Sequence, residues 1–437
     1  MKREMNAAMV GRWLLWKRKV LPSYRKRRVW NIKSISNYST LENKVSLTKL
    51  GEVLKQTIAA KGPITVADFM KECLQHPRYG YYMKDTVLGR RGDFVTAPEI
   101  SQTFGEIIGL WFVSLVEEKY SQLKKPFRLV ELGPGLGTLM NDMLRTLSRF
   151  PWMYRYLTVH LIETSPALTK QQQGALSKYS QNGTTLMWHT SIDEIPNDGS
   201  VFVVAQEFFD ALPIHQFVWR ENGWQEKLVD IETRREEPFH FRFVLSGGPT
   251  VASRVFLDFL GYYPSNLEED STSKEELELS PQSLSIVQYM TKRLTESSGA
   301  FLVIDYGANQ HISNSLRAIR SHEFVPILRE PGEADLSADV NFLSFRKAYE
   351  QTLAKKNLFS QVPICLGPIS QRQFLLSMGI EYRVLQLILS CKTDKEAVDI
   401  HSGYKRLVSG DSDGMGNVYK CFCIVSSDLG IPTGFSK

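Results

Sequence analysis

Apolar residues first recur at helical spacing. Leu47, Leu50, Leu54 and Ile58 share one face of a helix that Gly62-Pro63 stops. Thr65 can cap a second helix through Val66, Phe69 and Met70. A third, almost wholly apolar, runs from about Ser101 to Glu118. The pattern then changes. Short apolar runs at Phe127–Glu131, Thr158–Glu163, Thr184–Trp188, Val201–Ala205 and Phe301–Asp305 are separated by helical or turn-rich stretches. Such a β-α-β-α series predicts a doubly wound α/β fold, a parallel sheet with helices on both faces. Tyr419–Val425 reads as a last strand.

Three parts follow from this pattern. Residues 45–126 form an N-terminal helical cap, and residues 127–426 form the sheet domain. Long insertions at about 214–300 and 311–345 are available to build a substrate surface. In the first, Gln216–Val218 and Gln225–Ile231 predict a hairpin turned at Glu221-Asn222-Gly223, with Phe239–Leu245 as an added strand. Residues 264–283, acidic and Ser-rich, read as an exposed loop, and residues 311–340 as loop-rich.

Charge divides the chain again. The first 41 residues hold eleven Lys/Arg against one acid, Glu4, a net +10 that leaves −4 for the remainder. A mildly acidic body is not built to coat nucleic-acid phosphates. The basic, Trp- and Ser-containing residues 1–40 have the composition of a mitochondrial transit peptide, and a matrix location follows. No apolar run reaches the roughly 18 residues of a membrane-spanning helix. The abundance of Trp, Tyr and Phe (8, 17 and 23) excludes disorder as the overall state. Five cysteines, an odd number, fit a reducing compartment and read as small core residues. Cys421 and Cys423 share a strand face, but no neighbouring His or Cys completes a metal site.

The candidate chemistry begins at Val130-Glu131-Leu132-Gly133-Pro134-Gly135-Leu136-Gly137-Thr138, between the first strand and a helix. Glycines remove side chains where backbone must approach a ligand. The dinucleotide fingerprint would need a third Gly at position 138, which is Thr. An acid on the strand, Glu131, repels a pyrophosphate but suits a cation. S-adenosylmethionine carries both a sulfonium and an ammonium, and the pattern resembles the first motif of the class I S-adenosylmethionine-dependent methyltransferases. Glu163, ending the second strand, is spaced to accept from ribose hydroxyls. Asp193, after the third strand, is a candidate for the adenine side or a helix cap. The fourth strand runs into Gln206-Glu207-Phe208-Phe209-Asp210, so two carboxylates come where a methyl acceptor meets the cofactor. Glu207, then Asp210, then Glu99 are the candidate catalytic residues.

Longer strings carry a family resemblance. Gly92-Asp93-Phe94-Val95-Thr96-Ala97-Pro98-Glu99-Ile100-Ser101-Gln102-Thr103-Phe104-Gly105-Glu106 resembles the signature of the MidA-type methyltransferases, mitochondrial protein arginine methyltransferases of complex I assembly. Glu131–Thr138, Gln206–Pro213, Ile304-Asp305-Tyr306-Gly307, Pro331-Gly332-Glu333-Ala334-Asp335-Leu336 and Gly367-Pro368-Ile369-Ser370-Gln371 match in the same order. Leu136 stands where the family often has Arg, and Gln206 where it often has Asn or His. The resemblance implies a seven-stranded class I methyltransferase sheet with an antiparallel last strand. It further implies S-adenosylmethionine as cofactor and symmetric dimethylation of an arginine in a peripheral-arm complex I subunit. Other readings are a methyltransferase for another acceptor and a non-catalytic complex I assembly chaperone.

Overall fold

The computed structural model describes residues 45–84, 96–120, 126–220, 223–234, 236–257, 261, 276–354, 361–411 and 414–435. The transit segment, Gly92–Val95 of the long signature, the Glu221-Asn222 turn and most of the acidic stretch lie outside these residues.

Seven strands make the central sheet: β1 (Phe127–Leu132), β2 (Leu157–Ile162), β3 (Thr185–His189), β4 (Ser200–Gln206), β5 (Gly299–Ala308), β6 (Ile364–Ser370) and β7 (Tyr419–Val425). Their spatial order is β6-β7-β5-β4-β1-β2-β3, and Val340–Asn341 adds a short pairing to the end of β5. β1 to β5 run parallel, while β7 inserts antiparallel between β5 and β6. Order reverses at β1, beside β4. The crevice above their C-terminal ends is therefore the place where an open α/β sheet binds ligands.

Both faces of the sheet are buried, which explains the near-continuous apolar runs. Phe202 and Val204 of β4, with Leu302 and Ile304 of β5, face one core. Val201, Val203 and Ala205, with Phe301 and Val303, face the other. Cys421 and Cys423 share the first face, as the period of two requires. Cys365 and Cys391 depart from the core assignment, being only half-buried.

The segment before the sheet divides between two packing partners. Helix α1 (Lys49–Lys61) starts at Thr48, and α2 (Val66–Gln75) at Thr65, whose hydroxyl accepts the N–H of Asp68 at 2.9 Å. Leu50, Leu54, Phe69 and Met70 of these helices pack with Val229, Phe241, Leu316 and Leu336 of the insertions, in a core of their own. Helix α3 (Gln102–Tyr120) instead lies in the sheet's first core, through Phe104, Ile108, Trp111 and Phe112.

Two stretches expected as loops are partly regular. Within the acidic run, Glu276–Leu279 pairs with His215–Val218, and Ser280 caps a helix from Pro281 to Glu296. Within 311–340, Arg317–Arg320 pairs antiparallel with both Glu323–Val325 and Asp335–Ser337. The hairpin forms as expected, His215–Arg220 against Gly223–Ile231, with Phe241–Leu245 beside it.

Candidate active site

The glycine loop sets the floor of a cleft at the ends of β1 and β4. Gly133, Gly135 and Gly137 all have positive φ (62°, 54° and 78°), a backbone region that side chains strain. Gly137 is the left-handed N-cap of α4 (Thr138–Leu147). A Cβ on Gly133 would stand 2.7 Å from the Phe208 ring.

Gln172, on helix α5 (Pro166–Gln181), locks this loop to the second strand. Its Nε2 donates to the Gly135 carbonyl at 2.8 Å and to Glu163 Oε2 at 3.0 Å, and its Oε1 accepts from Trp188 Nε1 at 3.0 Å. Glu163 Oε1 accepts the Ser165 N–H at 2.8 Å, which orients the carboxylate at the mouth of the cleft. Burial raises the Glu163 pKa, and these donors only partly offset it.

Glu131, Glu163, Glu207, Asp210 and Glu99 all line the cleft, together with Gly133, Gly135 and Leu136. The cleft is open to solvent on one side and concave on the other. Gly137 supports the loop without lining the cleft. Asp193 stands apart from these residues. It lies exposed in the one-turn helix Ile192–Glu194, its carboxylate accepting from Ser191 Oγ at 3.2 Å, and it does not line the cleft. Ser191 and Glu194 form a capping box there, so the carboxylates at this turn serve local structure.

The acidic groups differ in what already holds them. Glu99 Oε2 accepts the Thr96 N–H at 3.2 Å and so caps the short helix Ala97–Ile100. Glu207 Oε1 accepts from Ala97 N–H at 3.1 Å and Gln206 Nε2 at 2.8 Å. Its φ of 48° turns the chain sharply at the end of β4. Burial pushes its pKa up to about 7. Asp210 Oδ2 accepts from the Tyr306 hydroxyl, while its Oδ1, in a side chain 9% exposed, has no partner. Burial raises the Asp210 pKa as well. Glu131 Oε2 and Gln206 Oε1 are likewise buried without partners. Burial pushes Glu131 to about 8.

Asp305 organises this corner. Its Oδ2 accepts three successive backbone N–H groups, from Phe208, Phe209 and Asp210. Phe209 is buried against Phe301 and Phe345, whereas Phe208 lines the cleft. Sequence reasoning left Asp305, Gln172, Tyr82 and Asp335 without roles. A polar Gln172 at four-residue spacing between Leu168 and Leu176 on a buried stripe was a visible signal.

Among the described residues that line the cleft are six carboxylates, Glu99, Glu131, Glu163, Glu207, Asp210 and Asp335, and no Lys, Arg or His. Such a cleft suits cations, and its buried unpartnered polar atoms are all acceptors. That donor-poor, acceptor-rich lining fits the sulfonium and ammonium of S-adenosylmethionine. Glu131 and the glycine loop would hold its amino-acid end, and Glu163 its ribose.

Residues 107–359 match the S-adenosyl-L-methionine-dependent methyltransferase family. A Danio rerio protein named mitochondrial protein arginine methyltransferase NDUFAF7 is 37% identical over 91% of this chain and 90% of its own length. The Caenorhabditis elegans homologue of that name is 36% identical over 89% and 90%. The chain belongs to the mitochondrial protein arginine methyltransferase family. A crystal structure from Burkholderia thailandensis, bound to S-adenosyl-homocysteine, covers 89% of this chain and 92% of its own, with 21% identity and a TM-score of 0.69. It shares the fold. The cofactor of the family is S-adenosylmethionine, as the glycine loop indicated. The relatives are named mitochondrial, in agreement with the address read in residues 1–40. Among the described residues no helix is long and apolar enough to cross a membrane.

Proposed function

We propose that the protein transfers methyl groups to a guanidino nitrogen of an arginine in a protein, completing a symmetric dimethylarginine in a peripheral-arm subunit of complex I in the mitochondrial matrix. The observation that carries the arginine reading is the six carboxylates among the described residues that line the cleft. The complex I target and the symmetric product rest on the family resemblance.

Bound S-adenosylmethionine supplies an activated methyl whose leaving group is a neutral thioether. The difficulty lies with the acceptor, because guanidinium is charged at ordinary pH and its nitrogens are poor nucleophiles. Asp210, with a buried unpartnered oxygen, pairs with the guanidinium and orients it. One nitrogen lone pair forms the bond to the methyl carbon as the carbon–sulfur pair departs to sulfur. The nitrogen then sheds a proton. Glu207, pushed up to about 7 by burial, is basic enough to receive it. Ala97 and Gln206 hold Glu207 for that role. Phe208 walls the reacting atoms from water.

The test is incubation with labelled S-adenosylmethionine and mitochondrial extract, followed by mass spectrometry of the labelled residue. Symmetric dimethylarginine in a complex I subunit is expected. Label on lysine or glutamine overturns the arginine reading.

A further inference from the structure

Behind the cleft two tyrosines stand side by side. Tyr306, near the end of β5, lies opposite Tyr419 of β7 in the antiparallel register, and their rings meet edge to face with centroids 5.4 Å apart. Both are buried, and neither lines the cleft. The Tyr306 hydroxyl donates to Asp210 Oδ2. Burial pushes the Tyr306 pKa well up, so the hydroxyl keeps its proton and remains a donor. Asp210 Oδ1 is left buried and without a partner. Arg317, on the second insertion, completes the arrangement. Its guanidinium stacks 4.6 Å from the centroid of the Tyr306 ring and pairs with Asp339 at 2.7 Å. It too stands outside the cleft lining.

A carboxylate that is to take a cationic acceptor must carry its charge before the acceptor arrives. Burial opposes that charge at Asp210, and the Tyr306 hydroxyl and then the Arg317 charge work against burial. The other ionisable groups on this side of the cleft, Glu207, Asp305, Asp335, Tyr82 and Tyr419, are all acids. They make ionising Asp210 harder. Arg317 is thus a cation that supports the Asp210 charge without occupying Oδ1, because its own donors are turned to Asp339. We propose that Tyr306 and Arg317 are positioning residues of the acceptor site, which aim the Asp210 carboxylate and sustain its charge so that Oδ1 is left to the arginine guanidinium. This inference rests on the arginine reading above. It makes the second insertion part of acceptor recognition through a side chain that never touches the acceptor.

The experiment uses the full chain saturated with S-adenosylhomocysteine, with acetyl-arginine amide as probe and acetyl-citrulline amide as its neutral counterpart. Binding is read across pH from line broadening of the probe in NMR titrations. Wild type is expected to bind the arginine probe and not the citrulline one. The pH series is run in a Glu207→Gln background, which removes the neighbouring titration. There, arginine binding should fall away as pH drops and Asp210 takes up a proton. Tyr306→Phe keeps the ring for Arg317 and Tyr419 and deletes only the hydroxyl. It should raise the pH at which binding is half lost by about one unit or more, the scale of one hydrogen bond to a charged group. Arg317→Met removes the charge and should move that pH in the same direction, while Arg317→Lys should bring it back toward the background value. A half-loss pH unmoved in both Tyr306→Phe and Arg317→Met, even with binding weakened evenly at every pH, makes these residues structural supports. That result overturns the proposal and leaves the arginine reading standing. A shift in Tyr306→Phe alone overturns the part given to Arg317. Should Tyr306→Phe fail to fold, the two Arg317 variants decide the matter by themselves. If wild type binds the two probes alike, the arginine reading itself falls.

Discussion

Asp305 Oδ2 lies 3.0 Å from the backbone nitrogen of Phe209, and the same oxygen accepts from Phe208 at 3.2 Å and Asp210 at 3.3 Å. A buried side chain on β5 therefore shapes the loop that ends β4, where Glu207 and Asp210 are carried. Burial, with Asp210 and Glu207 nearby, pushes the Asp305 pKa well up, so the three donors must do more than answer a charge. They hold a sharp turn in register.

Removing that anchor orphans three N–H groups, at about 1–3 kcal/mol for each one left unsatisfied. Asp305→Ala is expected to lower the melting temperature and to cut methyl transfer at least a hundredfold. Asp305→Asn keeps one acceptor oxygen and should lose less of both. Thermal unfolding and transfer assays check this. A wild-type melting temperature for Asp305→Ala would remove the anchoring role.

Gly135→Val places a β-branched residue at φ 54° beside the cofactor. Cofactor binding should be abolished while the protein stays folded, because the loop lies at the cleft floor and not in either core. Calorimetric titration with S-adenosylmethionine measures it. Gly133→Ala should also weaken binding, since its Cβ would press on the Phe208 ring at 2.7 Å. Unchanged affinity in a folded Gly135→Val would sink the loop's assignment.

What the chain disclosed before folding follows from the range of each signal. Strands β1, β2, β4, β5 and β7 declared themselves because both faces are buried, edge strand β3 by a short apolar run although it is partly exposed, and the glycines and strand-end acids needed only their neighbours to be read. Strand β6 was hidden. Its residues are half-buried, and Gly367-Pro368 interrupts any alternation. Glu276–Leu279 does alternate, but four residues in an acidic run are short evidence. Asp193 had two readings, an adenine-side residue or a helix cap, and Ser191 and Glu194, at capping-box spacing, marked the local turn in which it sits. Tyr82 and Asp335 meet across 253 residues, a separation over which no local pattern speaks.

The raised carboxylates give a pH signature. Glu131 at about 8 and Glu207 at about 7 lie above the ordinary 4.5. The folded state keeps these protons after the unfolded chain has released them. Their contribution to stability is therefore full below about pH 4.5 and lost as pH rises through 7 and 8. A cationic ligand favours the ionised forms. S-adenosylmethionine affinity should thus rise as pH climbs toward the Glu131 value of about 8, with protons released on binding. Calorimetry in buffers of different ionisation enthalpy reads the release directly. Binding that releases no protons at pH 7 would contradict the raised values.

Glu207 and Asp210 should separate kinetically. Glu207→Gln keeps size and an acceptor for Ala97 N–H, but it cannot take a proton. Cofactor affinity should stay within a few-fold, and kcat should fall by roughly 10²-fold or more, the scale of losing a positioned acid–base or electrostatic group. KM for the acceptor protein should move little, because Asp210 remains. Asp210→Asn removes the buried charge that pairs with guanidinium, so KM should rise as well as kcat fall. A pH profile sharpens the distinction. The wild-type limb near pH 7, where Glu207 ionises, should vanish in Glu207→Gln and persist in Asp210→Asn. If Glu207→Gln lost cofactor binding together with turnover, Glu207 would belong to the cofactor site or the fold. If its turnover were unchanged, the proton would have to leave by Asp210 or solvent, and Glu207 would be reduced to shaping the turn at φ 48°.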